Sequence, residues 1–240
     1  MQDYHVINVV GTMCPPEVDE VYNKWYNEKV IPTNMQFKGL LRAARYKLLG
    51  PAGGPTNSEY PDYLAIYEFK SFESFEAWNA SPEIAASGSD KPELLEKVGI
   101  PLLWRAQYSF VESWRNTPPN SFILIVGMKC SPKKEPEFDK WYGGKHLPDV
   151  LKFKGIEGAT HYKLASSEEL AIKTSIKQQV RTYADHMTFF YFKDLSTAEA
   201  YDASPERAAS LDEVAIKVVK ETDASTLWRV RYEPLRTWHK

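Results

Sequence analysis

The sequence is poor in cysteine, has no excess of either charge and contains no long apolar run. Cysteine occurs twice in 240 residues, at Cys14 and Cys130. Two thiols do not make a disulfide scaffold, so both are expected reduced. Lys plus Arg number 30 against 32 Asp plus Glu, a formal net charge of −2. A dedicated nucleic-acid surface needs a basic excess to neutralise phosphates, so no nucleic-acid partner is expected. The longest apolar run, residues 122–128, is strand-sized and far short of the roughly 18 residues of a membrane span. The N-terminal residues lack the basic start and apolar centre of a signal peptide. We therefore expect a cytoplasmic protein without a membrane partner. The segment Gly50–Gly54 matches neither glycine-rich phosphate-binding pattern. His-x-x-x-His, Cys-x-x-Cys and facial-triad spacings are missing as well, so no metal is expected. What is present is a core-forming composition, 43% apolar and 13% aromatic.

The main internal signal is a repeat. Residues 7–48 slide onto 123–164 without a gap, and 17 of those 42 positions are identical. They include Cys14/Cys130, Trp25-Tyr26/Trp141-Tyr142, Pro32/Pro148 and Tyr46-Lys47-Leu48/Tyr162-Lys163-Leu164. Further on, residues 80–83 match 203–206, and 103–105 match 227–229. The change of offset places seven extra residues in the second half, between about 165 and 184. Rich in Lys, Gln and Ser, they read as a lid or an interface.

Each half reads as β-α-β-β-α-β, with units at 1–114 and 121–240 and a Pro-containing linker at 115–120. Residues 5–11 and 122–127 are apolar runs ending in glycine, as buried strands do. Val18, Val21, Tyr22, Trp25 and Tyr26 form one helical face. Pro32 and Pro148 are expected to end that first helix. The later strands are expected at 41–48, 63–69 and 103–111, and at 159–164, 186–192 and 227–232. The second helix of each half is expected to start near Ser71 and Ser196. Such a unit folds into one antiparallel sheet with helices on one face. Two bare faces can then bury each other, which closes a single pseudo-symmetric barrel.

The segment Phe138–Pro148 (FDKWYGGKHLP), followed by Phe153-Lys154-Gly155, resembles the first-helix signature of the dimeric α/β-barrel superfamily, and most closely its EthD-like branch. Residues 22–32 (YNKWYNEKVIP) repeat it, so the resemblance spans nearly the whole chain. It implies an α+β fold of two ferredoxin-like repeats, with a ligand cavity between sheet and helices in each half. Relatives include cofactor-free oxygenases, isomerases, cyclases and decarboxylases of small aromatic or polyketide-like compounds, and haem-binding branches. The family's motif His, here His146, commonly lines the cavity. A homodimer is left open.

The halves also differ, and polar differences point to a single site. His146 stands where the first half has Val30, Asp149 where it has Thr33, His161 where it has Arg45, and His186 where it has Tyr63. We expect one active pocket, in the second half. His146, at a helix C-terminus that favours a charged imidazole, is the first catalytic candidate, with Asp149 orienting it. His186 is the second candidate, and Cys130 could serve as a nucleophile with His146 as base. Tyr142, His161, Tyr191, Tyr63 and Tyr67 are candidates for substrate binding; Trp25/Trp141 and Trp104/Trp228, shared by the halves, are expected in the core. The expected activity is cofactor-independent acid–base chemistry, of lyase, dehydratase or isomerase type, on a small aromatic or polyketide-like molecule. The alternatives are a cofactor-free oxygenase of the same substrates, a haem protein, and a non-catalytic ligand binder of stress-response type.

Overall fold

The computed structural model describes residues 5–53, 60–115, 118–165 and 183–240. In chain order, β1 (Val6–Thr12) leads through a short turn into α1 (Asp19–Trp25), a π-helical turn (Tyr26–Val30) and α2 (Ile31–Asn34). Next come β2 (Leu40–Pro51), β3 (Tyr63–Phe69), α3 (Phe72–Asn79), α4 (Pro82–Ser87), α5 (Glu93–Val98) and β4 (Leu102–Trp114). The second half follows with β5 (Phe122–Lys129), α6 (Glu135–Trp141), a π turn (Tyr142–His146), α7 (Leu147–Val150), β6 (Ile156–Leu164) and β7 (His186–Phe192). It ends with α8 (Leu195–Asp202), α9 (Pro205–Ser210), α10 (Glu213–Glu221) and β8 (Ser225–His239). No described helix is long and apolar enough to cross a membrane.

The strands form a closed antiparallel barrel in the order β1-β3-β2-β8-β5-β7-β6-β4. Read from β4, the first four run β4-β1-β3-β2; read from β8, the other four run β8-β5-β7-β6. Strand residues alternate between the barrel interior and the helix-covered outside. Ile7, Leu64, Ile66 and Tyr108 from one half and Ile125, Met187, Phe189, Tyr191 and Tyr232 from the other fill the interior. Full burial of such side chains contributes about 1.5–3 kcal/mol each. Phe69, Phe75 and Trp78 pack between sheet and helices in the first half; Phe138, Phe190 and Phe192 do so in the second.

Trp104 and Trp228 stack on one another in the interior, their rings 4.7 Å apart. A glycine near the end of the first strand of each half makes room for them. A Cβ on Gly127 would sit 2.5 Å from the Trp228 ring, and one on Gly11 would meet Pro61 at 2.6 Å and Trp104 at 3.0 Å.

Three expectations about the elements are corrected. Pro32 and Pro148 do not end the first helix, which continues to Asn34 and Val150. In each half the preceding turn is π-helical, with the N–H of Ile31 bonding to Tyr26 O and that of Leu147 to Tyr142 O. The wider turn relieves the clash that a proline ring makes with the carbonyl four residues back in an α-helix. The helix after β7 is capped by Asp194, whose carboxylate accepts from Thr197 N at 2.8 Å, rather than by Ser196. Ser71 does cap α3. The last strand of each half is longer than expected, because its tail pairs with the other half. Residues Phe110–Trp114 of β4 lie against β6, and Glu233–His239 of β8 lie against β2. These pairings leave no edge open among the described strands. Most of the 165–184 insertion lies outside the described residues.

Candidate active site

His161 and His186 lie under the helix formed by α6, the π turn and α7, and His146 lies on that helix. β6 and β7 are adjacent and antiparallel, with His161 opposite Thr188 and Lys163 opposite His186. On β7, His186 and Thr188 share the outward face with Phe190 and Phe192, as the alternation of strand residues requires. His161 Nε2 lies 3.3 Å from His186 Nδ1, so one imidazole donates a hydrogen bond to the other. His186 Nε2 is 3.6 Å from both Cys130 Sγ and Glu135 Oε1. Neither imidazole reaches the surface: His161 is 3% exposed and His186 1%.

Burial decides the charge of these rings. It pushes His161 down to about 3, with the neighbouring His186 adding to the effect. Burial also lowers His186, against the pull of Asp139 and Glu135. At neutral pH the pair is therefore uncharged and able to accept a proton.

Tyr142 covers the pair. Its hydroxyl bonds to Thr188 Oγ1 at 2.9 Å, and its ring lies 5.1 Å from His161 and 5.3 Å from His146. The π turn brings Tyr142 and His146 into a stacked arrangement, with Trp141 on the imidazole at 4.8 Å. Burial raises the Tyr142 hydroxyl well above the usual phenol range, so it is a neutral donor or acceptor.

His146 departs from its expected role in two respects. It lies within a continuing helix, and burial lowers its pKa where a helix C-terminus would raise it. Its Nδ1 lies 3.2 Å from the carbonyl of Ser210 on α9. Asp149 does not orient it; that carboxylate binds Lys145 at 2.9 Å and Lys152 at 2.6 Å. Cys130 pairs with His186 instead of His146. Burial, followed by the nearby carboxylates, pushes its thiol up to about 11, so it is not a thiolate nucleophile at pH 7.

The tyrosine candidates are divided among three places. Tyr142 is in the site. Tyr191 alternates with His186 and Thr188 and points into the barrel interior. Tyr63 and Tyr67 belong to the corresponding layer of the first half. There Arg45 takes the place of His161, its guanidinium carbon 4.6 Å from the Tyr26 ring centre and 5.0 Å from that of Tyr63. Tyr63 donates to Asp19, and the Tyr26 and Tyr67 hydroxyls are 3.0 Å apart.

Sequence reasoning missed Glu135, Asp139 and Lys163. Lys163 Nζ bridges the two carboxylates, 3.2 Å from Glu135 Oε1 and in contact with Asp139 Oδ2. Their half-exposed side chains form the solvent edge of the site. The available signal was two acids four residues apart on the first helix of the second half, where the first half has Asp19 and Asn23. A surface recess of about 500 Å³ bordered by Glu213, Ile216, Lys217, Lys220 and Glu221 lies on the solvent side of α10 and contains none of the histidines.

No protein-family model matches the sequence. No curated protein matches it. Solved structures do match along nearly the whole chain. A candidate monooxygenase from Fusobacterium nucleatum superposes with a TM-score of 0.61 at 12% identity, covering 100% of this chain and 96% of the other. An anthrone oxidase-like protein gives 0.57 at 12% identity, covering 99% and 94%. A point variant of chlorite dismutase from Candidatus Nitrospira defluvii gives 0.59 at 10% identity, covering 98% and 93%. At such identities the likeness establishes a shared α+β barrel fold of ferredoxin-like type, a fold that carries enzymes among its members.

Proposed function

We propose that this protein is a tandem EthD-like barrel whose second half performs cofactor-free acid–base chemistry on a small aromatic or polyketide-like molecule. The observation that carries this reading is the neutral His161–His186 pair, buried beneath Tyr142 at positions where the other half has Arg45 and Tyr63. His161 accepts a proton from an acidic C–H or O–H of the substrate. His186 takes up the charge through the 3.3 Å contact and passes the proton to the half-exposed Glu135 or Asp139. The Tyr142 hydroxyl, un-ionised and held by Thr188, donates to the developing enolate or phenolate. Tyr142 stands between His146 and His161, so a ligand that reaches the pair must displace its ring. The outcome is elimination or isomerisation.

A second reading has the same first step. The deprotonated substrate reacts with O₂, as in anthrone + O₂ → anthraquinone + H₂O, and the candidate monooxygenase and anthrone oxidase-like neighbours favour it. Haem ligation is disfavoured by the packing. His161 and His186 are buried against one another with Nε2 of the first facing Nδ1 of the second, and His146 stacks on Tyr142 with Trp141 tilted against it.

The test is hydrogen–deuterium exchange at the acidic carbon of an anthrone or a cyclic 1,3-diketone in D₂O, followed by NMR under argon and then in air with an oxygen electrode. The wild type is expected to accelerate exchange, and His161→Gln to remove the acceleration. Oxygen uptake linked to substrate loss selects the oxygenase reading. A wild type indistinguishable from buffer across the panel would count against both.

A further inference from the structure

We propose that Glu135, Asp139 and His186 form a binding site for a divalent transition-metal ion, with the Lys163 ammonium occupying the cation position until an ion displaces it. This stands independently of the reaction proposed above, although a metal on His186 would take one nitrogen of the imidazole pair.

One ligand atom from each of the three residues lies within 4.8 Å of the other two. Bonds of about 2.0–2.2 Å to a common centre place donors roughly 3–3.5 Å apart, so the closure required is small. His186 Nδ1 faces His161, which holds the ring and leaves Nε2, 3.6 Å from Glu135 Oε1, as the metal-facing atom. A ligating imidazole commonly has such a partner on its other nitrogen. Glu135 and Asp139 are four residues apart on α6, so both carboxylates leave one face of the helix. Their side chains are 38% and 33% exposed, which gives an ion a route from solvent, while the His186 side chain is fully buried.

Two further observations bear on an ion. Asp139 Oδ1 is buried and accepts no hydrogen bond, although it lies 3.7 Å from His186 Nδ1. One imidazole nitrogen and two carboxylate oxygens suit Zn²⁺, Fe²⁺ or Co²⁺, whereas Mg²⁺ and Ca²⁺ prefer oxygen alone. A cation is already drawn to this place, since Lys163 Nζ contacts both carboxylates. The first half lacks the set. It has Asp19, Asn23 and Tyr63 at the same positions, and Tyr63 donates its hydroxyl to Asp19.

The experiment is equilibrium dialysis of the full chelator-treated chain against ZnCl₂ at neutral pH, with thermal unfolding and circular dichroism on every variant. The expected result is saturable uptake of one ion per chain and a melting midpoint that rises with Zn²⁺. The isosteric pair Glu135→Gln/Asp139→Asn should weaken uptake by roughly 100-fold or more, and Lys163→Met should tighten it by about tenfold. Uptake unaltered in the Gln/Asn variant would put the ion elsewhere and overturn the proposal. So would a folded Lys163→Met chain that melts lower and takes up no Zn²⁺, because the lysine would then be the permanent counter-ion. The readout is binding, so its failure is separable from a failure of the acid–base reading.

Discussion

The two helix-covered layers treat the same positions in opposite ways. In the first half, Arg45 is 1% exposed and lies among the rings of Tyr22, Tyr26 and Tyr63, with a 2.8 Å bond to Asn27. A permanent cation is held by aromatic faces and an amide. In the second half, His161 occupies that position as a neutral ring, next to a second imidazole and near two carboxylates. A guanidinium stays charged at pH 7, whereas these buried imidazoles are neutral. One layer therefore holds a fixed charge, and the other holds neutral titratable rings. Both layers contain a π turn in the first helix, and they differ in the side chains at these positions.

The largest expected effect tests that division directly. His161→Gln should reduce substrate-proton exchange by about 10²–10⁴-fold, the usual contribution of a positioned general base, while leaving the fold intact by circular dichroism. A rate within twofold of wild type would return the second half to packing as well. Arg45→Ala should leave exchange unchanged yet cost about 3 kcal/mol in urea unfolding, through lost contact with three aromatic rings and an emptied volume. An unaltered urea midpoint would show that the first-half cluster does not hold the fold.

Gly127→Ala should cost on the order of 1–3 kcal/mol, because its Cβ overlaps the Trp228 ring and the Trp104–Trp228 stack must shift. The near-ultraviolet circular dichroism of the stacked indoles is the sensitive measurement. Tolerance at this position would mean that the barrel end can relax.

A fourth effect depends on pH. Burial lowers the folded pKa of His161 to about 3, below the 6.5 of a free imidazole. The unfolded chain therefore binds more protons between these values. The contribution to stability is present above pH 6.5 and is lost as pH falls from there toward 3, with a slope of at most about 1.4 kcal/mol per pH unit. His161→Gln should flatten the acid limb of a stability-versus-pH curve, and an identical limb would remove the buried-base assignment. The smallest effect is expected for Thr188→Val, which removes the partner of the Tyr142 hydroxyl at a cost of about 1 kcal/mol. If Tyr142 positions the substrate, KM should change with little change in folding.

Much of the architecture was readable before any coordinates. β3 and β7 fall on 63–69 and 186–192, because a run of apolar and aromatic residues between polar or proline-containing ends has only one way to lie in a strand. Ser71 was recognisable as a cap from its spacing to Ser74. The prolines misled, because their effect depends on the helix they enter. A π turn admits Pro148 where an α-turn would not, and no local residue pattern announces it. The ends of β4 and β8 were not readable, since their partners are more than forty residues away in sequence.

The site was legible in its residue types and not in its pairings. Comparison of the two halves selected His146, His161 and His186, all of which lie in one layer. It paired His146 with Asp149 and Cys130 because these are close in sequence or suited in chemistry. The fold pairs His186 with His161, Cys130, Glu135 and Asp139 instead. It also sends Tyr191 to the far side of its own strand. By itself, the sequence determined the order of elements, the apolar faces and the positions at which the halves differ, because these depend on local periodicity and on matching one segment with another. Only the tertiary structure decided which titratable groups meet and what charge they carry. Strand adjacency and helix docking set those distances, and burial, a property of the whole barrel, sets the protonation state.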